Sequence, residues 1–398
     1  MNVSLPTARP SDDHAGTSSI AAGGTAARGL ATSLRPVMIA AGLVALGGLA
    51  ACSTAPDRTS PVADAVSNAS AAVRADDDMK TVLDTFASLN PKAIEKISVE
   101  EARAQPTFAD AVKGTVLAQG RDASPSALVP GVTSRDGTIP GPAGRLPIRV
   151  FTPQGPGPFP IIVYFHGGGW VLANPEVYDA GARGLAKQAN AVVMSVSYRK
   201  APEAKFPAAW DDALASYRWA TTNARAINGD GRTFALAGES AGGNLAVATA
   251  VAARDAGLTQ PKHVLAVYPV AQTGSLNTPS YIENAVAKPL NRPMVEWFLD
   301  KLLRTPADKQ DTRLDLVNAN LRGLPPVTII NARIDPLRSD GSMLEEALQK
   351  AGVSVERRDY TGVTHEFFGG AAVLQKARDA QAYAGQRMMQ SFGQPAAK

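Results

Sequence analysis

Residues 236–243 read "LAGESAGG", and Gly238-Glu239-Ser240-Ala241-Gly242 fits the pattern G-x-S-x-G. The pattern is short, so its flanks carry the weight. The apolar stretch Phe234–Leu236 comes before it, and "NLAVATAVAAR" at 244–254, a strong helix former, comes after. A strand, a tight turn and a helix are the parts of a nucleophile elbow, where a serine stands on a strained bend with its hydroxyl in the open. Small residues at Gly238 and Gly242 let strand and helix approach without clashes. The bend also aims the helix N-terminus, with its unpaired N–H groups and positive dipole end, at the serine.

A serine hydroxyl needs a base to take its proton. The histidines are His14, His166, His263 and His365. His14 lies near the start of the chain, His166 heads a glycine run, and His263 precedes an apolar strand as a surface or packing residue. His365, in "GVTHEFF" after the last expected strand, is the candidate general base. Its imidazole needs an orienting carboxylate. Asp335 ends the apolar run "PPVTIINARID" and so falls at the carboxyl edge of a sheet, where open α/β sheets bind ligands. Asp340, five residues further on, is the rival.

The glycine run is "YFHGGGW" at 164–170. Glycine inside a strand or helix destabilises it by about 0.5–1 kcal/mol relative to alanine, so three in a row need a reason. Attack on an ester carbonyl creates an oxyanion, and pre-aimed N–H donors stabilise it; loss of one typically raises the barrier by about 3–4 kcal/mol. Gly168 and Gly169, with Gly167 beside them, supply such donors together with the N–H of Ala241. A phosphate-cradling turn is the competing reading, but no lysine–serine pair follows, and Trp170 and Val171 continue apolar.

The rest of the chain narrows the field. It has 398 residues, 45% apolar and 19% charged, with a net charge of +4. No basic block or aromatic–basic stripe offers the positive face that nucleic acid requires. One cysteine and four histidines make no set with metal-ligand spacing, so no metal site is expected. Residues 1–51 read as a signal peptide: basic residues at Arg28 and Arg35, then the apolar run "PVMIAAGLVALGGLAAC". Its end, "LAAC" at Leu49–Cys52, resembles the lipobox of bacterial lipoproteins. That resemblance implies an acylated Cys52, export and anchoring to a membrane facing the periplasm, the outer membrane above all; a soluble secreted protein is the alternative.

Residues 52–78, rich in Ala, Ser, Thr and Pro, read as a flexible tether. Val82, Leu83, Phe86 and Leu89 fall at helical spacing, and Ser98 with Glu101 outlines a capping box, so 79–120 is helical in two or three pieces. Expected strands are Ile148–Phe151, Ile161–Phe165, Ala191–Val196, Phe234–Leu236, Val264–Val270, Val327–Ile330 and Val353–Arg358. Such runs alternating with helices predict a mostly parallel sheet covered on both faces. Met294, Trp297, Phe298 and Leu302 share a helical face, either as packing or as the wall of a lid.

With these motifs in order, the chain resembles the bacterial hormone-sensitive-lipase-like esterases, a family of α/β-hydrolases. Further matches are "YRKAPE" at 198–203, "FPAAWDD" at 206–212, "DPLRSDG" at 335–341 and "HEFF" at 365–368. The resemblance implies an eight-stranded, mostly parallel sheet flanked by helices, in a catalytic domain at 126–398. It implies a helical cap from 79–125 and an insertion at about 271–320. It further implies hydrolysis of carboxylic esters, usually of short to medium acyl chain, without a cofactor, and a possible homodimer. The implied triad is Ser240, Asp335 and His365; the oxyanion donors are Gly168, Gly169 and Ala241, and His166 supports the glycine loop. Glu239 and Ser339 stand where the family commonly has acidic residues, an aspartate in the first case. "YRKAPE" and "FPAAWDD" read as structural, with charges that pair locally. A lipase, a lactone or amide hydrolase and a transacylase would use the same residues. A non-catalytic binding lipoprotein is disfavoured by the intact set.

Overall fold

Strand β3 (Phe159–Phe165) is buried at every position, and so is β4 (Val192–Val196). Strands covered on both faces read as continuous apolar runs, which is why these two were plain in the sequence. The computed structural model describes residues 74–394. Cys52, the expected signal peptide and most of the expected tether lie outside the described residues.

The described residues begin with helices α1 (Asp77–Ser88), α2 (Val99–Arg103), α3 (Phe108–Ala118) and α4 (Pro125–Leu128). The capping box forms as expected: Ser98 Oγ accepts from the Glu101 N–H, and Glu101 accepts from the Ser98 N–H. Residues 74–78 differ from the expected tether. Ala75 is buried, the Asp76 N–H donates to the Gly362 carbonyl at 2.8 Å, and α1 starts at Asp77.

An antiparallel hairpin, β1 (Val132–Gly141) and β2 (Gly144–Pro153), leads into β3, α5 (Asp179–Gln188) and β4. Then follow α6 (Ala208–Thr222), β5 (Gly229–Glu239), α7 (Ala241–Asp255) and β6 (Val264–Val267). Helices α8 (Pro279–Glu283) and α9 (Arg292–Leu302) come next. The order ends with β7 (Val327–Ile334), α10 (Arg338–Lys350), β8 (Val355–Thr364) and α11 (Gln375–Ser391).

The eight strands form one sheet in the order β1-β2-β4-β3-β5-β6-β7-β8. Strands β3 to β8 pair in parallel, and β2 joins β4 antiparallel. Alternate residues feed two cores, as strand geometry requires. Ile161, Val163 and Phe165 pack with α6, α7 and α10, whereas Ile162 and Tyr164 pack with α5 and α11. Strand β1 was not visible in the sequence: "VTSRDGTIPG" is an edge strand whose only buried residues are Val132 and Ile139. Strand β6 ends earlier than expected, because the chain turns at Tyr268 (φ 34°).

Candidate active site

The register of the parallel strands sets Gly238 of β5 beside Phe165 of β3. Ser240 follows β5 directly, with φ 57° and ψ −119°, and Ala241 opens α7. A left-handed serine between a strand and a helix is the expected elbow. Its glycines are fixed by main chain. A Cβ on Gly238 would lie 2.1 Å from the Gly242 carbonyl oxygen, and one on Gly242 would lie 1.9 Å from that of Phe165. The Ser240 N–H donates to the Val267 carbonyl at 2.8 Å, and its own carbonyl accepts from the Val270 N–H at 3.3 Å.

His365 and Asp335 meet at the ends of the neighbouring strands β8 and β7. His365 Nδ1 donates to Asp335 Oδ2 at 2.7 Å, and both residues are buried. Asp335 Oδ1 accepts from the Leu337 N–H at 2.8 Å, which holds the carboxylate toward the ring. Burial opposes a charge on His365, but Asp335, then Glu366 and Glu239, outweigh it and raise the imidazole above its ordinary value. Among the described residues no hydrogen bond joins Ser240 to His365. Both face one cavity of about 460 Å³, and catalytic hydrogen bonds are often long before substrate binds. The rival Asp340 is turned elsewhere: it accepts from the N–H groups of Ala271 and Gln272 at 3.1 and 3.4 Å. Burial pushes its carboxyl up to about 7.

The turn after β3 carries positive φ at Gly168 (92°), Gly169 (59°), Trp170 (59°) and Ala173 (64°). Gly168 and Gly169 line the same cavity as Ser240 and His365. Gly167 and Ala241 are buried beside it. Tyr178 fills the space over Gly167, where a Cβ would lie 2.2 Å from its hydroxyl oxygen. His166 is buried; its Nδ1 donates to the Gly167 carbonyl at 2.8 Å, and its ring stacks on Tyr198 at 4.3 Å. Burial pulls its pKa down to about 3, so it stays neutral as a prop for the turn. His263 is likewise packed inside, between Ser391 and Thr328 hydroxyls. No metal-binding cluster exists among the described residues.

Phe298 of α9 lies against Gly169, and Met294 and Phe298 line the cavity with residues of α2 and α3. The α9 stripe is therefore both packing and wall. A second cavity of about 20 Å³, lined in part by Trp170, Val270 and Leu299, also touches Ser240.

Two features escaped the sequence. Glu366, next to His365 and at φ 71°, accepts from the Tyr178 hydroxyl at 2.6 Å. Glu239 accepts from both Tyr164 and Tyr268, and burial pushes it up to about 7. The signal for Glu366 was its place inside "HEFF"; its tyrosine partner is too distant in sequence to be read. The expectation of local pairing in "YRKAPE" and "FPAAWDD" holds for Arg199 and Asp212, 2.7 Å apart, but not for Glu203. Glu203 instead binds Arg103 at 2.7 and 2.8 Å, from helix α2.

A family model described as alpha/beta hydrolase fold matches residues 162–369. Carboxylesterase NlhH of Mycobacterium tuberculosis is 40% identical over 240 residues, covering 59% of this chain and 75% of its own length. Ethyl acetate hydrolase of Pseudomonas putida is 32% identical, covering 62% of this chain and 77% of its own length. Among solved structures, an esterase from Pyrobaculum calidifontis superposes with a TM-score of 0.69 at 32% identity, covering 77% of this chain and 97% of its own.

Proposed function

The chain belongs to the α/β-hydrolase family, among its hormone-sensitive-lipase-like carboxylesterases, and from that premise we propose that it hydrolyses carboxylic esters through an acyl-enzyme on Ser240. One observation carries the residue assignment: a serine on a strained elbow shares a cavity with an imidazole tied to a buried aspartate.

His365 Nε2 takes the proton of Ser240 as Oγ attacks the ester carbonyl carbon. The oxyanion rests on the N–H groups of Gly168, Gly169 and Ala241, with Gly167 shaping the turn. The carbon–oxygen bond to the alcohol breaks, and the alcohol leaves with the proton from His365. Water then repeats the attack, releases the acid and restores Ser240. Asp335 holds the ring and stabilises the imidazolium. Fluorophosphonate labelling tests the assignment. The wild type should label and hydrolyse p-nitrophenyl butyrate, and Ser240→Ala should do neither; a variant that still turns over overturns it.

We assign the acyl group to the small second cavity at Ser240 and the alcohol to the large one, an assignment that supports a short acyl chain. A void of this measure needs about 10–15 Å³ per water, so one of about 20 Å³ admits only a few atoms. Rates along an acyl series should peak at short chains; a peak at long chains favours a lipase.

The leader "LAAC" supports acylation of Cys52 and export to a membrane facing the periplasm. Two acyl chains anchor stably where one is marginal. Metabolic palmitate labelling that persists in Cys52→Ala would end this reading.

A further inference from the structure

The turn that bears the glycines is under backbone strain. Trp170 and Ala173 stand at φ 59° and 64°, a region that disfavours residues with side chains by about 1–2 kcal/mol each. Such a backbone persists only where its surroundings over-determine it. Within the turn, the N–H groups of Val171 and Leu172 both donate to the Gly168 carbonyl, at 3.0 and 2.8 Å. The carbonyls of Val171 and Ala173 point outward, and each meets a cation. Arg103 Nε donates to the Val171 carbonyl at 3.0 Å, and Lys200 Nζ to that of Ala173 at 2.8 Å. Arg103 also donates to the Ala201 carbonyl at 2.9 Å, and the Ala201 N–H donates to the Trp170 carbonyl at 2.9 Å. Glu203 grips the guanidinium from the far side.

Lys200 is the more telling of the two. It is half-buried in the cavity wall and makes no ion pair within 4.0 Å among the described residues. Burial and the adjacent Arg103 pull its pKa below the usual lysine range. Only Glu203, outside contact distance, opposes that shift, and the one side-chain hydrogen bond of Lys200 goes to the strained turn.

We propose that Arg103 and Lys200 are positioning residues for the oxyanion donors: two cations clamp the outward carbonyls of residues 168–173 and so fix where the Gly168 and Gly169 N–H groups point. Through Arg103, turnover depends on helix α2, which lies outside the sheet. The inference rests on the reading of Gly168 and Gly169 as oxyanion donors.

The test uses the full chain with Arg103→Met, Arg103→Lys and Lys200→Met, a neutral short-chain ester and two inhibitors. A trifluoromethyl ketone adds Ser240 to form a hemiketal whose oxygen sits where the oxyanion does; the matching methyl ketone binds without that step. A misplacement of about 1 Å is worth about 100-fold in rate, so each Met variant should lose about 10- to 100-fold in kcat with KM within about twofold. Trifluoromethyl ketone affinity should fall in parallel, methyl ketone affinity should not, and Arg103→Lys should recover part of the loss. Circular dichroism and the melting midpoint separate folding from positioning. Unchanged kcat, equal weakening of both ketones, or a loss that tracks only the folded fraction overturns the inference. An inert, unlabelled wild type overturns the esterase reading; an active wild type with undiminished variants overturns this inference alone.

Discussion

The turns after β5 and β3 end neighbouring parallel strands, and both drive the backbone through positive φ. They are held in different ways. The elbow is gripped by main chain: β5 before it, α7 after it, the Val267 carbonyl on the Ser240 N–H, and carbonyls where Cβ atoms of Gly238 and Gly242 would be. No helix follows the glycine turn until Asp179. Main chain supports it only through bonds to the Gly168 and Trp170 carbonyls; the rest of its supports are side chains from elsewhere, namely Arg103, Lys200, Tyr178, Tyr198 and Phe298. On the proposed reading, the nucleophile stands on a fixture closed in by backbone, and the oxyanion donors stand on one that remote residues would tune.

The largest effects belong to the elbow and the Asp335–His365 pair. Ser240→Ala should lower kcat by about 10⁴- to 10⁶-fold, and Asp335→Asn by about 10⁴-fold, in ester hydrolysis. Asp335→Asn also has a pH signature. His365 must be neutral to accept the serine proton, so kcat/KM falls as pH drops through its pKa, which Asp335 raises. Removing that charge should move the acid limb to lower pH, whereas Asp340→Asn should leave it in place. A limb that follows Asp340 would return the rival to the triad.

A second pair of substitutions compares the two turns directly. The Cβ of Gly242→Ala would strike the Phe165 backbone, so this change should destabilise the fold by more than about 3 kcal/mol in denaturant titration. That of Gly169→Ala would lie 2.3 Å from the Phe298 ring, a side chain that can be removed. It should cost activity more than stability, and Phe298→Ala in the same chain should restore part of the rate. Equal stability losses at the two glycines would erase the distinction.

Asp340 tests whether main chain alone secures the elbow. Its carboxyl accepts from Ala271 and Gln272, next to the Val270 N–H that bonds Ser240. Burial raises its pKa to about 7, above the unfolded value of about 3.9. The folded state then binds more protons between these values, so Asp340's contribution to stability is full below that window and declines as pH rises through it. Asp340→Asn should flatten that slope in melting midpoints measured from pH 4 to 8. An unaltered slope would place the titration elsewhere, with Glu239 the next group to replace.

The same division explains what could be read before the fold was known. The elbow was legible because its causes are adjacent in sequence: an apolar strand, two small residues around the serine, a helix former. Asp335 was legible because it ends an apolar strand at the carboxyl edge of the sheet, and His365 because it is one of only four histidines and the other three had other readings. Strand β1 was not, since an edge strand with seven exposed residues in "VTSRDGTIPG" has no apolar rhythm. Nor was Arg103, whose contacts lie 68 and about 100 positions away at Val171 and Glu203. A guanidinium on a five-residue helix carries no local mark of the carbonyl it will meet.

The smallest expected effect probes that distant support. Ser98 caps α2: its Oγ accepts from the Glu101 N–H at 3.2 Å, and Glu101 returns a bond to the Ser98 N–H at 3.0 Å. Ser98→Ala should loosen the helix by about 1 kcal/mol without touching the cavity or the sheet. Hydrogen exchange should quicken in 99–103 and stay unchanged in 241–255, because α7 and the elbow share no support with this cap. If the glycine turn leans on α2 through Arg103, kcat should drop about two- to threefold while fluorophosphonate still titrates every serine. Faster exchange in α2 with undiminished kcat would mean that the turn stands without its remote brace, and the two turns would then differ in sequence but not in how they are held.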